Sequence, residues 1–213
     1  VWGAENEFVS SARLDDLQCV YGCLRGLLDA ADGESAAVLS VFDNEEVGSG
    51  TKQGADSSFL EDVLCRVSAA LGRSDVQYRA LLTNSFMVSA DNAHAVHPNH
   101  PEYADRNDRP EMNKGIVIKH NANQRYTTDA VSAAAFEAVC RRAEVPVQSF
   151  TNRADIAGGS TLGHISAAHV SINTVEIGLA QLAMPSAYET AGAKDTTSPC
   201  RWATARIVCR TST

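Results

Sequence analysis

Short apolar runs alternate along this chain with longer stretches of helical periodicity, and this alternation limits the folds that it can adopt. The apolar runs have the length of buried strands and fall at residues 38–42, 79–89, 115–119, 145–150 and 172–177. In the stretches 11–28, 59–71 and 129–140, apolar residues recur three and four positions apart, which predicts helices with one buried face. Strands that alternate with such helices predict an α/β fold, in which one sheet is covered by helices on both faces.

Length and charge argue against several classes of protein. The 213 residues suffice for one large domain or two small ones, and 44% hydrophobic with 21% charged residues is ordinary for a globular protein. No apolar run approaches the ~18–20 residues of a membrane span, so we expect no membrane association. The formal net charge of −8 leaves no excess of Lys and Arg to neutralise phosphates, which argues against nucleic acid as the main partner.

The six cysteines are irregularly spaced and form no C-x-x-C motif. Cys19 and Cys23 are four residues apart and can share a helix face, but two thiols without further ligands indicate a metal site only weakly. The pattern favours reduced, buried thiols in a cytoplasmic protein over a disulfide framework or a zinc–cysteine site.

Carboxylates follow two of the candidate strands directly. Residues 43–46 (Asp-Asn-Glu-Glu) come after the run 38–42, and Asp91 follows the run 79–89, with His94 and His97 close behind. At the end of a strand, one of two adjacent glutamates can bind a metal while its neighbour reaches the attacking water, as in many hydrolases. Asp and His are both good ligands for zinc or manganese. Taken alone, each segment also fits a solvated polar loop. For residues 43–46, a solvent-exposed acidic turn is the simpler interpretation.

Two further segments allow both a structural and a functional interpretation. Asp15 and Asp16 lie in the first turn of the candidate helix 11–28, where carboxylates complement the helix dipole. Residues 158–163 form a glycine-rich turn that can present backbone N–H groups to a phosphate or carboxylate. This turn is neither a P-loop nor G-x-G-x-x-G, so it indicates a nucleotide site only weakly.

Together, five motifs resemble the aspartyl aminopeptidase family of co-catalytic dizinc exopeptidases. They occur in the order of the family and cover about residues 5–195: Arg13-Leu14-Asp15-Asp16-Leu17, the acidic segment 42–49, Ser89-Ala90-Asp91 with the two histidines to Pro98, Asn121-Ala122-Asn123-Gln124-Arg125-Tyr126, and Gly159-Ser160-Thr161-Leu162-Gly163. The resemblance implies the zinc-exopeptidase fold, a mixed sheet sandwiched by helices. It also implies an enzyme that binds two zinc ions per site, releases N-terminal, acidic residues from peptides, and forms homo-oligomers.

The resemblance also assigns roles to individual residues. Asp15 matches the carboxylate that bridges the two metal ions, while Glu46 and Asp91 each match a ligand of one ion. Glu45 matches the general base that activates the attacking water. Three further residues match positions that contact substrate: His94, Lys119 and Tyr126. For Lys119 the structural alternative is a strand-end lysine, and for Tyr126 it is a core or interface tyrosine.

This sequence departs from the family pattern in its metal ligands. We expect the chain to be truncated on its N-terminal side, without the portion that carries the first zinc-binding histidine and without the inserted domain that helps to build the assembly. The last histidine ligand of the family lies in a Met-His-Ser segment, where this chain has Met184-Pro185-Ser186. Three ligands of five then remain, and His94 or His97 is a poor substitute. The 213-residue chain by itself is therefore predicted to have little or no activity.

The sequence also allows two other functions. A non-catalytic family member or subunit fits the incomplete ligand set, whereas an acidic phosphate-binding protein is supported only by the glycine-rich turn. Residues 1–195 are predicted to form the partial catalytic domain. Residues 196–213 form an atypical tail, with three arginines and no acidic residue, whose abrupt composition suggests a shifted reading frame or an artificial end.

Overall fold

The computed structural model describes residues 1–30, 35–156, 158–159 and 162–197. Within these ranges it contains seven strands, β1 (Phe8–Ser11), β2 (Phe86–Ala90), β3 (Ala93–His94), β4 (Ile116–His120), β5 (Val147–Thr151), β6 (Asn173–Leu182) and β7 (Glu189–Gly192). Its five α-helices are α1 (Leu14–Asp29), α2 (Phe59–Ala70), α3 (Asp75–Thr83), α4 (Ala130–Arg142) and α5 (Leu162–His169). None of the described helices is both long and apolar enough to span a bilayer.

The strands form one mixed sheet in the order β1-β7-β6-β4-β5, with β2 and β3 also paired to β6. Pairing is parallel between β2 and β6, β3 and β6, and β4 and β5, and antiparallel between β1 and β7, β6 and β7, and β4 and β6. The predicted α/β fold with a mixed sheet is confirmed.

Strand β6 runs through the centre of the sheet, and alternate residues of it face opposite sides. Val175, Ile177 and Leu179 pack into the main core with residues of α1, α4 and β4. On the other face, a Cβ added at Gly163 of α5 would lie 2.7 Å from Oε1 of Glu176, so this helix lies directly against the strand. Helices therefore cover both faces of the sheet, as predicted.

Capping residues explain why two of the helices begin where they do. Asp129 caps α4 by accepting a hydrogen bond from the Ser132 N–H, and the Ser132 hydroxyl forms the reciprocal bond. Ser74 and Gln77 form a capping box at the start of α3. The prediction of a strand over residues 79–89 is therefore wrong in its first half, because the capped helix α3 occupies residues 75–83 and only Phe86–Ala90 are extended.

Two other local predictions are also wrong. Residues 38–42 form no strand, and Val38 and Val41 are 61% and 53% exposed, so the apolar run before the acidic segment is not buried. The helix predicted over residues 11–28 begins only at Leu14, because Ser11 ends β1 and pairs with Glu189 of β7. Arg13, immediately before α1, has a φ of 59° and gives no side-chain cap.

Much of the apolar stripe of α1 faces outward in the described structure, contrary to the sequence prediction. The stripe of α2 is partly buried as predicted, because Leu60 and Leu64 pack against the cluster of Tyr78, Leu82 and Val170. Helix α1 instead packs on the sheet through a face of small and polar residues. The residues that it buries are Gln18, Cys19, Gly22 and Gly26. The exposed stripes consist of Leu17, Tyr21, Leu24 and Leu28 on α1, and Phe59, Val63, Val67 and Leu71 along α2. Small and polar residues let α1 approach the strands closely, which turns its large apolar side chains away from the sheet.

Some sequence predictions concern residues outside the described ranges. These include residues 160 and 161 of the glycine-rich turn and residues 198–213 of the tail. The proposed domain boundary at residue 195 stays a prediction.

Candidate metal centre

Three carboxylates converge where α1 begins and β2 ends. Each of Asp15, Asp16 and Asp91 offers one oxygen, and these oxygens all lie within 4.8 Å of one another. Asp15 and Asp16 belong to the first turn of α1, and Asp91 follows β2 directly. The Asp91 N–H donates to the carbonyl of Ile177, which extends the parallel pairing of β2 with β6 by one residue. The sheet thereby fixes the backbone on which Asp91 stands.

Lys119 supplies a buried positive charge beside this group. It lies near the end of β4, is 3% exposed, and donates from Nζ to Oδ2 of Asp91 at 3.0 Å. Burial by itself lowers the pKa of Lys119, but the charge of Asp91, Tyr126 and the hydrogen bond to Asp91 raise it above its ordinary value. Lys119 therefore stays protonated and neutralises one of the three carboxylates.

The other two carboxylates are compensated less, because Lys119 bonds to Asp91 and lowers their pKa values only through its charge. Burial, the charge of Asp91 and a hydrogen bond with Asp91 raise the pKa of Asp15 to about 8. Burial and the charge of Asp91 also raise the pKa of Asp16 well above its usual range. The Oδ1 atoms of both residues are buried and accept no hydrogen bond from the described residues. A cluster of oxygens with excess negative charge and unused lone pairs fits a divalent cation, and carboxylates accept zinc, manganese or cobalt.

The acidic segment reaches the edge of this group through a single-turn 3₁₀ helix, Glu45–Val47. Glu45 is half-buried, and burial followed by the charges of Asp91 and Glu46 raises its pKa. Asn44 lies in the left-handed region, with a φ of 62°, and its Nδ2 donates to Oγ1 of Thr51 at 3.0 Å. A local turn therefore holds Glu45 beside the carboxylates.

Glu46 is exposed and lies outside the three-carboxylate group. Of the three ligands predicted from the resemblance, the structure brings Asp15 and Asp91 together and adds Asp16 in place of Glu46. The only sign in the sequence that Asp16 would join this group is its position next to Asp15. That position is explained equally well by charge complementarity at the helix start.

The predicted substrate-contacting residues lie around Lys119. Its Nζ is 5.7 Å from the ring centroid of Tyr126, a buried residue whose ring also contacts Phe150 at a centroid distance of 6.3 Å. His94 keeps an exposed surface, and desolvation of its imidazole together with the charge of Lys119 lowers its pKa, which favours the neutral form. His97 is exposed and stacks near His100, with ring centroids 5.4 Å apart.

Residues 1–202 match the family model described as aminopeptidase I zinc metalloprotease (M18). The chain belongs to the M18 family. Over 195 residues it is 51% identical to a probable M18 family aminopeptidase 2 of Clostridium acetobutylicum, an alignment that covers 92% of this chain and 45% of the relative.

Solved structures of M18 proteins share the fold. The chain is similar to Ape4 in the cryo-EM structure of the Ape4 and Nbr1 complex, with a TM-score of 0.90, 38% identity, and coverage of 96% of this chain and 40% of that one. It is similar to mApe1 of S. cerevisiae, solved as a dodecamer, with a TM-score of 0.84, 31% identity, and coverage of 96% of this chain and 47% of that one. The chain thus spans less than half the length of these M18 relatives.

Proposed function

We propose that this chain supplies the carboxylates of the active site in a zinc-dependent aminopeptidase that removes N-terminal, acidic residues from peptides. The observation that carries the proposal is the convergence of Asp15, Asp16 and Asp91 in a chain of the M18 family. Two zinc ions per site, a peptide substrate, a homo-oligomer and a cytoplasmic location belong to the same proposal. The dodecamer of the yeast relative supports the oligomeric part of it.

In the proposed site, Asp15 would be the carboxylate shared by the two zinc ions, and Asp91 and Glu46 would each hold one of them. The buried Oδ1 atom of Asp15, which accepts no hydrogen bond from the described residues, supports the bridging role. Glu46 has to turn inward from its exposed position to take part, whereas Asp16 already belongs to the group. Zinc held by these oxygens supplies positive charge that polarises a peptide carbonyl and acidifies water.

Glu45 is the proposed general base. Its half-buried position and the nearby carboxylates raise its pKa, which makes it a stronger proton acceptor than an exposed glutamate. The carboxylate that has taken a proton from the attacking water can then return it to the leaving amine.

Lys119 and a cationic side chain next to Tyr126 in the sequence support the preference for acidic residues. Arg125, the residue before Tyr126, lines a cavity of about 800 Å³. Arg153 also lines it but is ion-paired with Asp155 at 2.6 Å, so Arg125 is the side chain that the proposal uses. Cationic side chains of this kind bind a carboxylate through charge-assisted hydrogen bonds. In this proposal Lys119 and His94 contact the substrate at the Asp91 end of the site, which the position of Lys119 beside Asp91 supports.

A chimera tests the proposal. The corresponding segment of the Clostridium acetobutylicum relative is replaced by residues 1–195 of this chain, and hydrolysis of an aspartyl-peptide is measured with added zinc. We expect zinc-dependent release of aspartate that Glu45→Gln lowers at least a hundredfold, within the usual contribution of general-base catalysis of about 10²–10⁴. If the chimera and its Glu45→Gln variant release aspartate at equal rates, Glu45 is not the general base.

Metal content distinguishes this proposal from a non-catalytic family member. Pro185 in place of the expected histidine favours the non-catalytic alternative, because proline offers no side-chain donor atom. Two tightly bound zinc ions per chain in the purified chimera support an enzyme, and the absence of bound metal supports the alternative.

A further inference from the structure

Two buried side chains hold the peptide group that joins Leu14 to Asp15. The N–H of Asp15 donates to Oε2 of Glu189 at 2.9 Å, and the carbonyl of Leu14 accepts a hydrogen bond from Nδ2 of Asn92 at 3.0 Å. Glu189 is 2% exposed and Asn92 is 1% exposed. Both poles of the peptide group directly before the carboxylate of Asp15 are therefore fixed by side chains distant in sequence.

Glu189 also connects this peptide group to the turn after β6. Its Oε1 accepts a hydrogen bond from the N–H of Ser186 at 3.3 Å, and its backbone pairs with Ser11 in the β1–β7 ladder. One carboxylate thus contacts the start of α1 and the turn that contains Pro185. Because the ladder fixes the backbone of Glu189, its side chain is a rigid support for Asp15.

Asn92 connects the same peptide group to Asp91, its neighbour in sequence. Nδ2 of Asn92 also donates to Oε1 of Gln181 at 2.8 Å. Its Oδ1 accepts from Sγ of Cys19 at 3.1 Å and from the N–H of Leu179 at 3.3 Å. A fully bonded, buried amide has little freedom to move, so the start of α1 and the end of β2 are held at a fixed separation.

We propose that Asn92 and Glu189 are positioning residues that hold the carboxylate of Asp15 opposite Asp91 for a divalent cation. A carboxylate pair binds a cation well only when its oxygens are already in place, because otherwise binding must order them. Ordinary helix capping does not require this arrangement, since a capping side chain close in sequence could satisfy the first N–H groups of α1 equally well. The inference rests on the proposed metal site for the identity of the ligand.

The first test measures Mn²⁺ binding to the 213-residue chain, from the electron paramagnetic resonance signal of the free ion. Glu189→Gln keeps the size of the side chain but replaces one acceptor oxygen with an NH₂ group that opposes an N–H donor. We expect it to weaken Mn²⁺ binding tenfold or more, the range found for residues that orient metal ligands, about 10–100-fold. Asn92→Leu, which removes every hydrogen bond of the amide, should weaken binding in the same direction.

Asp195→Asn is the matched control. Asp195 is also 2% exposed and also accepts two backbone hydrogen bonds, from the N–H groups of Asn113 and Gly115, but it does not belong to the three-carboxylate group. We expect Asp195→Asn to lower the melting temperature as Glu189→Gln does and to leave Mn²⁺ affinity within twofold. Equal Mn²⁺ affinity of Glu189→Gln and the wild type overturns the proposal, and so does an equal loss of affinity in the control.

A second measurement separates this inference from the proposed function. Hydrogen exchange of the Asp15 amide reports its bond to Glu189 without any metal. If the wild type binds no Mn²⁺ at millimolar concentration, the proposed metal site fails. In that case, the positioning of Asp15 is still supported if this amide exchanges at least tenfold faster in Glu189→Gln while the exchange rates of the Val117 and Ile118 amides stay unchanged. An unchanged exchange rate of the Asp15 amide overturns it.

Discussion

Replacing Lys119 with Met should destabilise the fold strongly, because it removes the charge that compensates the carboxylate group. Met matches the aliphatic stem of Lys119, so the core around Ile118 and Tyr126 keeps its packing. The change leaves Asp91 without its ion pair, whose side chains are only 4% and 13% exposed. Breaking a buried pair by removing one partner costs about 3–5 kcal/mol.

The loss of stability in Lys119→Met also depends on pH. The charge of Lys119 is one of the groups that lower the pKa of Asp15, so Lys119→Met raises that pKa further above about 8. An acid whose pKa is raised by folding contributes stability at low pH and loses that contribution as the pH rises through its folded value. The deficit of the variant should therefore be smaller at pH 5 than at pH 8.

Urea unfolding at pH 7 measures the loss, and thermal unfolding should show a melting temperature lower by ~6–20 °C, at about 2–4 °C per kcal/mol for a chain of this size. The double variant Asp91→Asn/Lys119→Met should recover part of the loss, since it also removes the carboxylate that Lys119→Met alone leaves unpaired. A loss below ~1 kcal/mol, or strict additivity of the two substitutions, would show that the pair is not electrostatically coupled.

Three further outcomes are expected. Burial raises the pKa of Asp195 from 3.8 to about 6. Between pH 4 and pH 7 the free energy of unfolding of the wild type should therefore fall by about 2 kcal/mol relative to that of Asp195→Asn, as urea unfolding at each pH would show. A Cβ at Gly178 would lie 2.2 Å from the carbonyl oxygen of Asp91, so Gly178→Ala should lower the free energy of unfolding by about 1–3 kcal/mol and weaken Mn²⁺ binding. A Cβ at Gly50 would have its nearest neighbour 3.9 Å away, so the control Gly50→Ala should change neither stability nor Mn²⁺ binding. Mn²⁺ at a hundred times its Kd should raise stability by about 2.7 kcal/mol, and the thermal shift should vanish in Asp15→Ala.

Local patterns in the sequence predicted the centre of the fold well. Strand β4 and helix α4 have clear signals, an unbroken apolar run and an Asp129 cap before a helical period, and both form near the predicted residues. The run 79–89 misled because Leu81 and Leu82 fit a helix as well as a strand. Only the Ser74 cap distinguishes the two, and it lies outside the apolar run.

The site was predictable only where its residues lie in local motifs. The resemblance found Asp15 and Asp91, because each stands in a motif of consecutive residues. Asn92 and Glu189 contact the start of α1 across separations of 78 and 174 residues, and no local pattern predicts such contacts. Burial of the α1 stripe was predicted from periodicity, but periodicity identifies an apolar face without identifying what covers it.

Pro185→His should strengthen metal binding, and the structure gives a specific reason. Residue 185 precedes Ser186, whose N–H shares the carboxylate of Glu189 with the N–H of Asp15. The turn at residue 185 and the proposed bridging ligand are therefore attached to the same side chain. An imidazole introduced there adds a neutral nitrogen donor to an all-oxygen group, and zinc binds nitrogen donors readily.

We expect Zn²⁺ affinity, measured by isothermal titration calorimetry, to rise tenfold or more in Pro185→His. Pro185→Ala controls for loss of the proline ring and should match the wild type. If both variants bind Zn²⁺ equally well, the turn does not face the carboxylates, and Glu189 supports Asp15 without connecting it to residue 185.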